Sequence, residues 1–342
     1  MRSSSHPLAL GASAVGLALT VACSGDATTG PSQFTDPASV IPMTSTSSAA
    51  RSLLIGANLW VNPSSNARIT GDAWYNTRQA DANMLFKLAA APQAQWIGNW
   101  NSNVQADVAA ATSVAVAAGG MPVFVAYNIP QRDCGGLSGG GSTVASAYQT
   151  WITQFAKGIG TRRATVILEP DALAGIDCLS PTDQQTRFNL LAYAVRAFEA
   201  SGTVAVYLDA GHPGWQTAQT MASRLSKAGI AMAQGFSLNV SNFIFTRDNV
   251  SYGTQIAGLT GGKHFIVDTG RNGLGPTADY QWCNPAGRAI GDWPNTSPGV
   301  AYVDAFLWIK TPGESDGACN GAPAAGTWMP EYALGLAQRA SY

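Results

Sequence analysis

From Leu53 to the C-terminus, short apolar runs alternate with longer stretches whose apolar residues recur at helical spacing. The runs at 53–60, 94–99, 121–127, 164–169, 203–209, 232–240, 263–268 and 303–309 predict strands. They are rich in β-branched and aromatic residues and show little polar alternation, as strands covered on both faces do. The stretches 72–90, 102–118, 144–160, 181–201, 215–228 and 249–260 predict helices, and a last helix follows Pro330. Ser180-Pro181 supplies an N-cap and a proline at the first helical position, and Gly202 and Gly229 stand where helix C-termini favour glycine. Repeated strand–helix units with buried strands imply an α/β fold with a parallel sheet, closed or nearly closed into a barrel of seven or eight strands. An open doubly wound sheet is the alternative. Nothing between 53 and 342 reads as a linker or a fixed-period repeat, so this span is expected to be a single domain.

The pattern changes before Leu53. Met1-Arg2 and a polar stretch precede an apolar run from Leu8 to Ala22 that is short for a membrane span. Residues 1–22 are therefore expected to be a secretory signal. The run ends Leu-Thr-Val-Ala-Cys-Ser-Gly, which resembles a bacterial lipoprotein box with Cys23 as the lipidated residue; ordinary cleavage nearby is the alternative. Residues 23–52, rich in Ser, Thr and Pro, are expected to form a flexible tether. The protein is thus expected to be exported, and either secreted or anchored to the cell envelope.

Polar chemistry concentrates where the predicted strands end. Tyr127-Asn-Ile-Pro-Gln-Arg132-Asp133-Cys134 follows one strand, and Glu169-Pro-Asp171 follows the next. Trp96 with Asn99 and Trp100, Asp209 with His212 and Trp215, Asn239 with Asn242, Asp268 with Arg271, and Lys310 with Glu314 and Asp316 mark five more. The C-terminal ends of parallel strands are where α/β enzymes carry their active sites, and packing alone does not place polar groups at seven of them. Asp133 and Asp171 are expected to face one cleft. Asp209 and Asp268 could equally brace strand ends, Glu169 could pair with Arg132 inside the core, and His264 reads as structural.

Composition narrows the chemistry. The chain is 46% hydrophobic and 11% charged, with net charge −1, 37 Gly and 10 Trp. This excludes a disordered protein and gives no basic footprint for nucleic acid. Only three His are present, no Gly-x-Ser-x-Gly elbow or phosphate loop occurs, and no cysteine pair has zinc-site spacing. No metal or cofactor is expected. Carboxylates with Trp, Asn, His, Arg and Lys form the inventory of a glycoside hydrolase: an acid to protonate the leaving oxygen, aromatic faces for pyranose rings, amides and charges for hydroxyls. There are five cysteines. With Cys23 assigned to the leader, four are left, an even number suited to an oxidising compartment. Cys134 and Cys178 each follow one of the two carboxylate motifs and are expected to pair, leaving Cys283 with Cys319.

Seven stretches, YNIPQRDCGG (127–136), ILEPDALA (167–174), LDAGHPGW (208–215), NVSNF (239–243), IVDTGRNGLGP (266–276), QWCNPAGRAIG (281–291) and DAFLWIKTPGESDG (304–317), resemble those of glycoside hydrolase family 6, the inverting β-1,4-glucanases, in family order. The resemblance implies a distorted barrel and the same two disulfides. It implies Asp171 as catalytic acid, Asp133 as the carboxylate that tunes it, Tyr127 beside the scissile sugar, and Asp316 as the base proposed for the family. A water chain is the alternative route for that proton, and Ser138 stands near the position of the family's serine-bearing loop. Trp96, Trp215 and Trp282 match sugar-stacking residues, His212, Asn242, Lys310 and Glu314 match hydroxyl-binding ones, and Arg132 accompanies Asp133 in a supporting role.

The connections from Cys134 to the helix near Tyr148 and from Gly317 to Pro330 are short. Long loops would roof the cleft into a tunnel, so these imply an open cleft and internal cleavage. The expected function is an inverting endo-β-1,4-glucanase acting, as a monomer, on cellulose or related β-glucan. No nucleic acid is expected as a partner, and the membrane is reached only through Cys23. A cellobiohydrolase or another β-glycan hydrolase on the same fold is the first alternative. A non-catalytic glycan-binding lipoprotein is the second, against which the intact set of Asp133, Asp171 and Asp316 argues.

Overall fold

The computed structural model describes residues 53–341. The expected leader (1–22), tether (23–52) and lipidation site Cys23 lie outside the described residues.

Seven strands, β1 (Gln95–Gly98), β2 (Val123–Tyr127), β3 (Ala164–Leu168), β4 (Val204–Asp209), β5 (Gly235–Leu238), β6 (His264–Asp268) and β7 (Val303–Leu307), pair in sequence order, every neighbour parallel. Helices cover the outside: α1 (Asn66–Trp74), α2 (Gln79–Ala89), α3 (Val104–Ala117), α4 (Ala145–Ile159), α5 (Pro181–Glu199), α6 (Ala218–Lys227), α7 (Thr246–Leu259) and α8 (Pro330–Gln338). The sheet curls until its two edges meet, but they meet at one isolated parallel bridge, Gln93 with Trp308, where Ala94 N donates to Trp308 O at 3.0 Å. The result is a distorted barrel rather than an evenly closed one.

Strand side chains alternate between two cores, as the two-residue repeat of an extended chain requires. Val125, Tyr127, Ile167, Ala205, Ile266, Ala305 and Leu307 fill the interior of the barrel. Their sequence neighbours Phe124, Ala126, Val166, Leu168, Val206, Phe236, Phe265 and Val267 pack outward against the helices. Both faces are apolar, which is why the strands read as unbroken apolar runs. Side-chain caps define half of the described helix starts: Ser65, Asn103, Ser180 and Thr217 accept from backbone N–H groups of α1, α3, α5 and α6.

Two expected elements differ. The run 53–60 forms a turn and contributes only a single parallel bridge, Leu59 with Met121. Leu54 is buried, but Ile55 and Gly56 face solvent, so the run lacks the continuous burial that holds a strand in the ladder. The barrel therefore has seven strands. The helix expected over 72–90 is two helices broken between Tyr75 and Arg78, and α1 begins earlier, at the Ser65 cap. The Arg78 guanidinium lies 3.8 Å from the Trp74 ring and pairs with Asp81 and Glu331, contacts the break makes possible.

Gly235 opens β5 where a Cβ would lie 2.0 Å from His264 O on the neighbouring strand. Gly235→Ala is expected to destabilise the fold by about 1–3 kcal/mol, the usual cost of overpacking, read as a lowered midpoint in urea denaturation.

Candidate active site

All seven strands point their C-terminal ends to one side, and a cavity of about 930 Å³ opens there. Its most acidic wall is built by the segments after β2 and β3. Three buried groups shape them. Glu169 accepts the backbone N–H groups of Asn128 and Ile129 at 2.9–3.0 Å, turning the chain as it leaves β2. Burial pushes its carboxyl up to about 7, against those backbone hydrogen bonds. Arg187 of α5 donates to the carbonyls of Pro130, Gln131 and Ala172, joining the two segments from behind. Arg132 donates to Tyr127 O (2.7 Å), Ser138 O (2.8 Å), Asn99 Oδ1 (3.1 Å) and Gly139 O (3.3 Å). No salt bridge joins Arg132 to Glu169: the guanidinium is taken up by loop carbonyls, and the carboxylate by amides.

These loops hold non-glycine residues in the left-handed region: Gln131, Asp133, Cys134, Glu169 and Asp171 have φ between 49° and 69°. Such conformations cost energy and persist where surrounding contacts over-determine them. At Asp171 the determinant is Asp209, whose Oδ1 accepts both Asp171 N and Gly211 N at 3.0 Å. The disulfide Cys134–Cys178 ties the two acid-bearing segments together, and Cys283–Cys319 ties the Trp282 segment to the segment after Asp316.

The acids have distinct surroundings. Asp171 stands half-buried at the cleft wall, and its carboxyl is pushed well above the ordinary carboxylate range by burial, then by the like charges of Asp209, Asp133 and Asp316. Ser138 bridges its neighbours: N and Oγ both donate to Asp133 Oδ2 at 2.9 Å, and Oγ lies 2.9 Å from the Tyr127 hydroxyl. Because Ser138 gives its proton to Asp133, the Tyr127 hydroxyl is the donor to Ser138. Burial, followed by the charge of Asp171, raises the pKa of Tyr127, so the phenol keeps its proton. Across the cleft, Asp316 is fixed by Arg271 Nη1 (2.8 Å) and Asn284 N (3.0 Å) on Oδ2. Lys310 is buried, donates to Ser315 O at 3.0 Å, and has its ammonium pKa lowered by burial, while burial raises Glu314.

Aromatic rings make up much of the rest. Trp96 is held by its indole N–H on Ile309 O (2.8 Å) and by an edge contact with Tyr127. His212 lies against Trp215, with ring centroids 5.6 Å apart. Trp100, Trp215, Trp282 and Tyr280 line the cleft yet stay 54%, 40%, 49% and 67% exposed. Large aromatic faces left in water mark a binding surface, and the cleft is open to solvent along them.

The profile of Glycosyl hydrolases family 6 matches residues 54–340. The chain belongs to this family. Among similar proteins, Endoglucanase A of Cellulomonas fimi is 47% identical over 273 residues, 79% of this chain and 59% of that protein. Endoglucanase A of Thermobispora bispora is 41% identical over 308 residues, 87% of this chain and 66% of that protein. The chain thus spans less than two thirds of these two relatives. A solved structure of the endoglucanase Cel6 from Mycobacterium tuberculosis, in complex with methyl-cellobiosyl-4-deoxy-4-thio-β-D-cellobioside, superposes with TM-score 0.79 at 45% identity, covering 84% of this chain and 98% of that one.

Within this family-6 barrel, the sequence-expected residues Trp96, Tyr127, Arg132, Asp133, Ser138, Asp171, His212, Trp215, Asn242, Trp282, Lys310, Glu314 and Asp316 all line the one cavity. Asp209 and Asp268 lie behind it as braces; Asp268 accepts the N–H groups of Ser241, Gly270, Ile309 and Lys310. Tyr280 and Leu137 also line the cleft and went unread in the sequence, being loop residues without periodicity; Trp100 was noted at a strand end but given no role. Arg271, the partner of Asp316, was legible only as a polar residue after β6.

Asp133→Asn removes one like charge facing Asp171. The Asp171 pKa, followed by carboxyl-carbon NMR, is expected to fall relative to the wild type, whereas an unchanged value would mean that burial alone sets it.

Proposed function

We propose that the protein is an inverting endo-β-1,4-glucanase that hydrolyses cellulose or related soluble β-glucans within the chain. The observation that carries this reading is Asp171: a carboxyl that keeps its proton because it is half-buried among three other carboxylates, at the wall of an open cleft lined with exposed aromatic rings. The endoglucanase names of the relatives and the cello-oligosaccharide analogue held by the Mycobacterium tuberculosis neighbour support it.

In this reading sugar rings stack on Trp96, Trp215 and Trp282, and His212, Asn242, Lys310 and Glu314 receive hydroxyls. Asp171 donates its proton to the glycosidic oxygen as the bond to the anomeric carbon breaks. A water attacks that carbon from the opposite face and loses a proton, so the product has the inverted configuration. Asp316 Oδ2 is held by groups that do not relay a proton, the Arg271 guanidinium and the Asn284 N–H, whereas Asp133 Oδ2 takes the Ser138 Oγ–H, a hydroxyl that can pass one on. We therefore assign the departing proton to Asp133 by way of Ser138, with Asp316 an electrostatic and positioning group. The Tyr127 hydroxyl, protonated and fixed on Ser138, faces the same point.

Asp171→Asn is expected to lower hydrolysis of carboxymethylcellulose by about 10²–10⁴-fold, the usual contribution of a general acid, with oligosaccharide binding retained in calorimetry. Full activity in this variant would overturn the assignment. Early product from cellohexaose is expected to show the α-anomer by proton NMR, and retention of the β-anomer would contradict single displacement. Viscosity of carboxymethylcellulose is expected to fall faster than reducing ends accumulate, since internal cleavage shortens chains most per bond broken.

A further inference from the structure

Among the described residues a second cavity, of about 350 Å³, shares no lining residue with the first. Two connections build both. The segment between β5 and α7 puts Ser241 and Asn242 on the cleft and Phe245 on the second cavity, where Thr246 and Arg247 of the first turn of α7 join it. The segment between β6 and β7 puts Tyr280 and Trp282 on the cleft, and Gly291, Asp292 and Trp293 on the second cavity.

The side chains here are arranged rather than scattered. Trp293 meets the buried Trp308 at 5.2 Å between centroids and 65° between planes, which fixes its ring while the residue stays 40% exposed. The Asp292 carboxylate beside it accepts Thr246 Oγ1 at 2.6 Å, and its carbonyl accepts Thr269 Oγ1 at 2.7 Å and the Trp308 indole N–H at 3.0 Å. The exposed Arg247 guanidinium lies 4.3 Å from the Phe245 ring, and its Nε is 3.6 Å from the neighbouring Asp248 carboxylate, which leaves its terminal nitrogens to donate outward. An oriented indole thus sits beside a fixed acceptor and a planar donor of opposite charge. This set fits a neutral, hydroxyl-rich ring: the indole covers its C–H face, Asp292 accepts from hydroxyls and Arg247 donates to them. With Asp248 beside Arg247 and Asp292 on the wall, the local charge gives no attraction for an anion, and the volume lies at the low end of the roughly 300–1,000 Å³ usual for ligand pockets.

We propose that this cavity is a second, non-catalytic docking site for a β-1,4-glucan chain. The proposal rests on the reading of the main cleft as a β-glucan hydrolase. A polymer held at Trp293 stays near the cleft between cleavages, which raises its effective concentration there without any change in the chemistry. Short oligosaccharides gain nothing from it.

The test uses Trp293→Ala and Arg247→Ala, each made in the active chain and in the Asp171→Asn background. Retention of the Asp171→Asn forms is measured by affinity electrophoresis through soluble mixed-linkage β-glucan and by pull-down on insoluble cellulose. Turnover of cellotetraose by the active forms reads the cleft alone. Each substitution is expected to weaken retention several-fold and to lower the rate on insoluble cellulose, while cellotetraose turnover stays at the wild-type level. Trp293 braces Trp308, so if Trp293→Ala lowers the unfolding temperature, the surface variant Arg247→Ala carries the test. Retention unchanged in the well-folded variants overturns the second site and leaves the cleft reading standing. A parent enzyme that neither cleaves cellotetraose nor is retained by either glucan overturns the cleft reading, and the second site with it.

Discussion

Like charges held close together set the rest of the architecture. A carboxyl keeps its proton near neutrality only if ionising it is made costly, and here burial and three neighbouring carboxylates impose that cost on Asp171. The arrangement is unfavourable in itself, so the fold has to hold it in place. Asp209 takes the Asp171 amide, Glu169 takes the amides leaving β2, Arg187 and Arg132 collect carbonyls from both loops, and a disulfide joins the loops at Cys134 and Cys178. In the chain-entropy account, closing a loop of this length contributes about 4 kcal/mol, which helps to offset left-handed backbone at five non-glycine positions.

The braces also explain a division of labour among acids. Glu169 and Asp209, with carboxyls pushed up to about 7 and about 6 by burial, lie behind the cavity rather than on its wall and act on backbone. Asp171, Asp133 and Asp316 line the cavity. Two acids of the Glu-Pro-Asp motif, two positions apart, thus face opposite ways. The left-handed turn at Glu169 and again at Asp171 sends one side chain back toward β2 and the other into the cleft.

Much of this was legible in the residues. Strands buried on both faces show as unbroken apolar runs, and the polar groups at their ends show by contrast. The run 53–60 misled because apolar content says nothing about which side chains find cover: Leu54 does, Ile55 does not. The break between Tyr75 and Arg78 has no glycine or proline to announce it; of the two ion pairs of Arg78, the one with Asp81 is local, but the one with Glu331 joins segments far apart in sequence. Tyr280 is the same kind of miss, an aromatic ring whose value comes from a cleft that exists only once the chain is folded. The direction of Arg132, toward loop carbonyls and away from Glu169, was likewise fixed by three dimensions and not by composition.

The single bridge between Gln93 and Trp308 has a mechanical consequence. Six of the seven junctions around the barrel are ladders, and the seventh is a seam. Widening a ladder breaks several hydrogen bonds at once; easing the seam breaks few, so compliance gathers along one line of the wall. That line passes Trp96, whose indole reaches across it to Ile309. The give in the wall thus falls beside the Trp96 ring, while Asp133 and Asp171 follow β2 and β3, which a continuous ladder joins.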